Sequence, residues 1–252
     1  MRVRAVVPTA AAATAVPPPP RTTDGPDAGR LGALASAAEA LLSVRGLSHV
    51  IGGRTVIELP EWSVGAGQHS LVLGPSGSGK TTLLHIAAGL LRPTAGEVTV
   101  AGRRIGTLTA PALDRLRGRE IGIVFQTLHL IGALSVAGNL RLAAHLAGRP
   151  RDEGRVRRVL EGIGLADRAL ARPHQLSQGE AQRAAIARAL VTGPRLILAD
   201  EPTSALDDRN CGRVLDLLLE QAAAHGATLV IATHDGRVRD RFARRLVLPA
   251  RS

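Results

Sequence analysis

The stretch Gly74-Pro75-Ser76-Gly77-Ser78-Gly79-Lys80-Thr81-Thr82 constrains this chain more than any other segment. It fits the pattern G-x-x-x-x-G-K-[ST], follows the apolar run His69 to Leu73, and precedes a helical stretch, Lys80 to Leu90. A strand that turns through glycines directly into a helix aims successive backbone N–H groups at one point. The first turn of the helix adds its positive dipole end, and the result is a phosphate cradle. Lys80 is placed to reach β- and γ-phosphates, and the Thr81 hydroxyl to ligate Mg²⁺. Lys80 is also the only lysine in the chain; every other basic side chain that carries a permanent charge is an arginine. A compact ammonium at this one position marks a site where a planar guanidinium does not serve.

Around this loop the chain alternates. Short apolar runs at Leu41 to Leu47, Thr55 to Leu59, His69 to Leu73 and Glu97 to Ala101 are separated by glycine-containing turns and predict strands. Ile121 to Phe125 predicts a further buried strand, and residues 135 to 175 read as helical and polar-faced. From Ser177 the βα alternation returns, with a helix from about Gln178 to Val191 and a strand from Arg195 to Ala199. A helix from about Asn210 to His225 and a strand from Ala227 to Thr233 follow. The pattern predicts an α/β fold: a parallel core, an N-terminal antiparallel β layer and an inserted α-helical subdomain. Residues 1–40 are Ala/Pro-rich without period and are expected to be a disordered tail, or to lie ahead of the native start. Residues 41–252 form the folded domain.

Composition closes other routes. Hydrophobic residues make up 45% of the 252, enough for a core without disulfides, and the lone Cys211 fits a reducing compartment. Trp62, Phe125 and Phe242 are the only aromatic rings besides the histidines, so the core is aliphatic. No run reaches the ~18 apolar residues of a membrane span, so any membrane role needs another chain. The net charge of +11 comes from arginines spread along the sequence with few aromatics between them, and no specific nucleic-acid partner is expected.

Arg195-Leu-Ile-Leu-Ala-Asp200-Glu201 is an apolar strand ending in two carboxylates, which packing alone does not favour. Asp200 is placed toward a Mg²⁺ shell, and Glu201 can polarise a water for in-line attack on a γ-phosphate. Leu176-Ser177-Gln178-Gly179-Glu180 opens a helix as a capping box, and its free N–H groups also make an anion site. Gln126 closes the strand Ile121 to Phe125, and His234 follows the apolar strand Leu229 to Ala232.

Together the phosphate loop, Gln126, Leu176 to Glu180, Asp200-Glu201-Pro-Thr-Ser-Ala-Leu-Asp207 and His234 stand in the order of ABC ATPase domains. The resemblance covers about residues 41 to 250. Within that superfamily, Ile121-Gly-Ile-Val-Phe-Gln126, Gly164-Leu-Ala-Asp-Arg168 and Leu198-Ala-Asp-Glu-Pro202 look most like ATPases of lipoprotein-release, macrolide-export and cell-division complexes. The resemblance implies P-loop NTPase folding with ATP and Mg²⁺ as ligands. It further implies a head-to-tail dimer in which Ser177 and Gly179 of one copy contact the γ-phosphate held by the other. By the same resemblance Glu201 is the catalytic base, His234 holds the γ-phosphate and attacking water, Gln126 and Asp200 belong to the Mg²⁺ shell, and Asp207 couples the two sites. The subdomain at about 127–175 receives helices of an integral membrane permease, which places the chain at the cytoplasmic face of the inner or plasma membrane.

Three positions depart from the family pattern. Gln178 replaces a usual glycine, Glu180 a usual glutamine, and Ile51 the aromatic residue expected to stack on adenine. Base binding then rests on aliphatic contact. Two other readings fit the fold. A soluble ABC ATPase acting on DNA or ribosomes usually carries coiled-coil or zinc-bearing inserts, but about fifty residues lie between Gln126 and Ser177, without heptads or Cys pairs. A nucleotide-binding regulatory dimer has no use for Glu201 and His234.

Overall fold

The computed structural model describes residues 5–6, 40–204 and 208–250. Two sheets organise them. The first is a long antiparallel layer in the order β3-β2-β5-β6: β2 (Ala40–Ile51), β3 (Arg54–Gly65), β5 (Ala95–Val100) and β6 (Arg103–Arg104). Gly52 and Gly53 both have positive φ, and Ile51 pairs with Arg54, so a two-residue turn joins two twelve-residue strands. The expected runs at Leu41 to Leu47 and Thr55 to Leu59 are the apolar centres of these strands. Their ends are longer than predicted because ladder pairing continues through exposed residues such as Val50 and Glu61.

The second sheet has the order β1-β10-β4-β9-β8-β7. Its members are β1 (Ala5–Val6), β4 (Ser70–Leu73), β7 (Ile121–Val124), β8 (Leu196–Asp200), β9 (Thr228–Thr233) and β10 (Arg244–Val247). From β10 to β7 all neighbours are parallel; β1 runs antiparallel to β10 at the edge. Of the region expected to be a tail, only Ala5, Val6 and Ala40 are described, and the rest of that expectation lies outside the described residues.

Among the described residues six α-helices accompany the sheets: α1 (Lys80–Ala87), α2 (Ala110–Glu120), α3 (Val136–Leu146), α4 (Glu153–Gly162), α5 (Gln178–Leu190) and α6 (Asp208–Ala224). The parallel sheet is buried on both faces, which explains its unbroken apolar runs. Leu71, Ile197, Ala199, Leu229 and Ile231 face a core shared with α3 to α6. Val72, Leu196, Leu198, Val230 and Ala232 face the antiparallel layer and α1, meeting Leu42, Leu59, Leu83 and Ile86. Period-two alternation thus divides each strand between two cores. Truncating a side chain such as Leu71 to alanine costs about 2–5 kcal/mol in a core of this kind.

The helical subdomain is held by its polar residues. Ser135 caps α3 by accepting from Gly138 N, and Asp152 caps α4 by accepting from Arg155 N. Buried Asn139 accepts from Ile131 N at 2.7 Å and donates to the carbonyls of Ile131, Leu134 and Ser135, so the loop after β7 is pinned to α3. Strand order positions the site. β9 lies between β4 and β8, so the carboxyl end of β9 emerges between the glycine-rich loop and the two carboxylates. Ligands of parallel α/β sheets bind at such carboxyl ends.

Candidate functional site

The loop from Gly74 to Gly79 leaves β4 and delivers the chain to α1. Gly79, the residue before α1, has φ +93, and a Cβ there would stand 2.6 Å from Val56 O. Only glycine fits. No side chain caps α1, so its first N–H groups remain available to an anion. Lys80 Nζ curls back to donate to Gly74 O at 2.9 Å and Pro75 O at 3.0 Å, and lies 3.5 Å from Glu201 Oε1. A buried ammonium is thereby compensated while it waits beside the cradle.

Asp200 is the last residue of β8. The Thr81 side chain stands by its carboxylate, whose Oδ1 is buried without a hydrogen-bond partner. Burial pushes the Asp200 carboxyl above the ordinary range. Glu201 adds to that push, whereas Thr81, His85 and Lys80 oppose it. An unpaired buried carboxylate oxygen next to a threonine hydroxyl is the oxygen donor set of a hard divalent cation.

Glu201 follows with φ +46, a left-handed turn that costs a non-glycine residue about 1–3 kcal/mol. The turn sends its carboxylate back to the end of β9. Oε2 accepts from Thr233 Oγ1 at 2.9 Å, and Oε1 accepts from His234 N at 3.1 Å and stands 2.9 Å from His234 Nδ1. The carboxylate is therefore fixed in place, while the His234 side chain remains 57% exposed.

Gln126 lies two residues beyond β7, not directly at its end, because the strand stops at Val124. The Phe125 ring packs edge-to-face against His85 of α1 and His129, with centroids 6.2 and 5.2 Å apart. Arg188 of α5 donates to His129 O. The segment carrying Gln126 is thus tied both to the helix after the glycine-rich loop and to α5. At the start of α5, Ser177 and Glu180 close the expected capping box, with Glu180 Oε2 accepting from Ser177 N at 2.7 Å and Arg168 holding the other oxygen. These hydrogen bonds, Ser177's backbone first, lower the Glu180 carboxyl below its usual range.

One cleft of about 390 Å³ gathers Ser76, Gly77, Gly79, Lys80, Thr81, Thr82, Gln126, Glu201 and His234, with Asp200 joined to it through Thr81. Ser177, Gln178, Gly179 and Glu180 do not line it. Asp207 lies outside the described residues. Two residues were not foreseen, one lining the cleft and one holding Glu201 from behind it. Val56 enters the cleft from a β-bulge, since His49 pairs with Ile57 and Val50 with Thr55, leaving Val56 unpaired and re-aimed. No sequence signal marks it. Thr233 holds Glu201, and a hydroxyl closing an otherwise apolar buried strand was the available clue.

The sequence profile described as ABC transporter matches residues 58–204, more than half of the chain. The chain belongs to the ABC transporter family. It is 44% identical over 183 residues to the lipoprotein-releasing system ATP-binding protein LolD of Chromohalobacter salexigens, covering 72% of this chain and 77% of that one. It is 43% identical over 209 residues to the macrolide export ATP-binding/permease protein MacB of Rhodopseudomonas palustris, covering 81% of this chain; the chain spans 32% of that relative's length. Among solved structures, a dimeric ATP-binding cassette in a post-hydrolysis state with ADP and Pi superposes with TM-score 0.74 at 33% identity, covering 82% of this chain and 94% of that one. CbiO1 of Clostridium perfringens, part of an ABC transporter complex, gives 0.70 at 29% identity, covering 78% and 79%. The P-loop α/β core, the antiparallel layer and the inserted helices are therefore those of an ABC ATPase cassette.

Proposed function

We propose that the chain binds ATP with Mg²⁺ in this cleft, hydrolyses it as a head-to-tail pair of copies, and so drives a separate membrane permease. The observation that carries the reading is the Glu201 carboxylate, held by Thr233 and His234 at the rim of the cradle and facing Lys80. Gly74 to Thr82 bind the phosphates through backbone N–H groups, and Lys80 exchanges its carbonyl partners for phosphate oxygens. Thr81, Asp200 and Gln126 would hold Mg²⁺, which would supply charge neutralisation for the phosphates. Glu201 accepts a proton from the water whose oxygen bonds to the γ-phosphorus as the bond to ADP breaks, and His234 orients that water and the γ-phosphate.

Ser177 and Gly179 head a capped helix away from their own cleft, which supports their service to the cleft of a second copy. A relative solved as a dimer supports the pairing of two copies; by the family resemblance, Asp207 would couple the two sites. The helical subdomain exposes Leu146 and Leu170 among its arginines, which supports a covering partner there. No helix among the described residues is long and apolar enough to cross a membrane. Membrane attachment, at the cytoplasmic face, then comes through the permease. The names of the relatives, lipoprotein release and macrolide export, favour extraction or export as its direction.

Steady-state hydrolysis of Mg-ATP by the purified chain, with its permease and without, tests the reading. Turnover that rises when the permease is present is expected. A chain that fails to bind ATP overturns it.

A further inference from the structure

The Glu201 carboxylate has four close contacts, and they differ in kind. Lys80 and the His234 ring are side chains that the proposed cycle draws toward the phosphates. The His234 N–H and the Thr233 hydroxyl are not. Thr233 is the last residue of β9 and fully buried. Its Oγ1 accepts the Asp235 N–H at 3.0 Å, so its one proton is directed to Glu201 Oε2 at 2.9 Å. Branching at Cβ restricts the rotamer that aims it. The register is fixed from the other side as well, since Glu201 N donates to Ala232 O at 2.8 Å.

We infer that Thr233 is a positioning residue for the base: it retains Oε2 when Lys80 and the His234 ring turn to the nucleotide, leaving Oε1 aimed at the water. The inference rests on the reading of Glu201 as that base. Without the hydroxyl, the carboxylate keeps its chemistry but loses its orientation, and a misplaced base slows the chemical step more than it weakens substrate binding. Thr233 itself touches no substrate.

The test compares Thr233→Val, which keeps the shape and removes the donor, with Thr233→Ser, which keeps the donor. On the full chain, kcat and KM for Mg-ATP, ATP affinity by calorimetry and the melting temperature are measured, alongside Glu201→Gln. The valine variant is expected to lose about ten- to a hundredfold in kcat, the range of a hydrogen bond to a charged group, with KM and ATP affinity held. The serine variant is expected to keep most of its turnover. If the valine variant does not fold, Thr233→Cys, with its weaker donor, replaces it and is expected to be slow where serine is not. Wild-type kcat in the valine or cysteine variant, with Glu201→Gln inactive, overturns the inference. So does an equal loss in the serine variant, or a KM that rises as kcat falls, because either result marks a structural prop. Wild-type turnover in Glu201→Gln removes the base itself, and that result is separate from any Thr233 variant.

Discussion

Lys80 Nζ lies 3.5 Å from Glu201 Oε1, with both side chains buried, so the only lysine of the chain already faces the proposed base across the cradle. Each charge also has other partners: Gly74 and Pro75 carbonyls for the ammonium, Thr233 and His234 for the carboxylate. Lys80→Ala removes the phosphate contact and leaves a buried carboxylate short of one cation. Breaking a buried pair costs up to about 3–5 kcal/mol, and the remaining donors on Glu201 keep the loss below that limit. Most ATP binding and essentially all turnover are expected to go, as calorimetry and a hydrolysis assay will read. Lys80→Arg is not expected to restore either, because the planar fork cannot enter a backbone cradle built for a point charge. Wild-type activity in the arginine variant contradicts the assignment.

Glu201→Gln keeps the shape of the side chain, but its single amide oxygen can accept from only one of Thr233 and the His234 N–H, and it cannot take a proton. Hydrolysis is expected to slow at least ~100-fold, the usual scale of acid–base catalysis, while ATP binding remains. The ATP-bound variant is expected to accumulate as a dimer on size exclusion with Mg²⁺ present. Unchanged turnover is the result that decides against Glu201.

Asp200 supplies a prediction of opposite sign. Burial raises its carboxyl above the ordinary value, with Glu201 adding to the effect. A carboxyl whose folded pKa exceeds the unfolded value of about 3.9 holds its proton more tightly when folded. Stability therefore falls as pH rises from the unfolded value through the folded one, and the full cost is present above the folded value. Asp200→Asn is expected to raise the melting temperature of nucleotide-free protein in EDTA at neutral pH. That gain should vanish below about pH 4, where both forms are uncharged. The same variant is expected to lose the extra stabilisation that Mg²⁺ gives to ATP-bound protein. A lower neutral-pH melting temperature in EDTA tells against an unpaired charge at Asp200.

The sequence revealed the parts of this molecule in which local chemistry and tertiary placement agree. Gly79 must be glycine both for its φ and for Val56 O, and the phosphate loop was legible for that reason. Ser177 and Glu180 form a cap within four residues, so its hydrogen bonds could be anticipated without a fold. Helix α2 escaped notice although Thr109 and Pro111 stand where an N-cap and a second helical residue belong, because its many arginines blur the apolar period. Strand β10 begins with Arg244-Arg245 and is strand because β4 and β1 pair with it on either side. Val56 reaches the cleft through a bulge, and Thr233 acts on it only through its cross-strand bond to Glu201; both depend on pairings far apart in sequence.

Ile51 ends β2 at the tip of the long hairpin and is 56% exposed, in the position where relatives are expected to carry the ring that stacks on adenine. Its neighbour Val50 is exposed as well, and Val56 lines the cleft beside Ser76 and Gly77. If the base lies against this hairpin, as the resemblance implies, Ile51, Val50 and Val56 would offer it aliphatic contact. Stacking on an aromatic ring contributes about 1–3 kcal/mol per base in single-stranded nucleic-acid sites, and the lower half of that range corresponds to about tenfold in affinity. Ile51→Tyr is therefore expected to tighten ATP binding about tenfold by titration calorimetry, using that same scale. GTP is expected to compete better against the natural chain than against the tyrosine variant. The rate at saturating ATP should not change, because the ring would meet the base and the bond that breaks lies at the other end of the nucleotide. A tyrosine variant with unchanged affinity removes Ile51 from the base site and leaves that contact to Val56 or to the second copy.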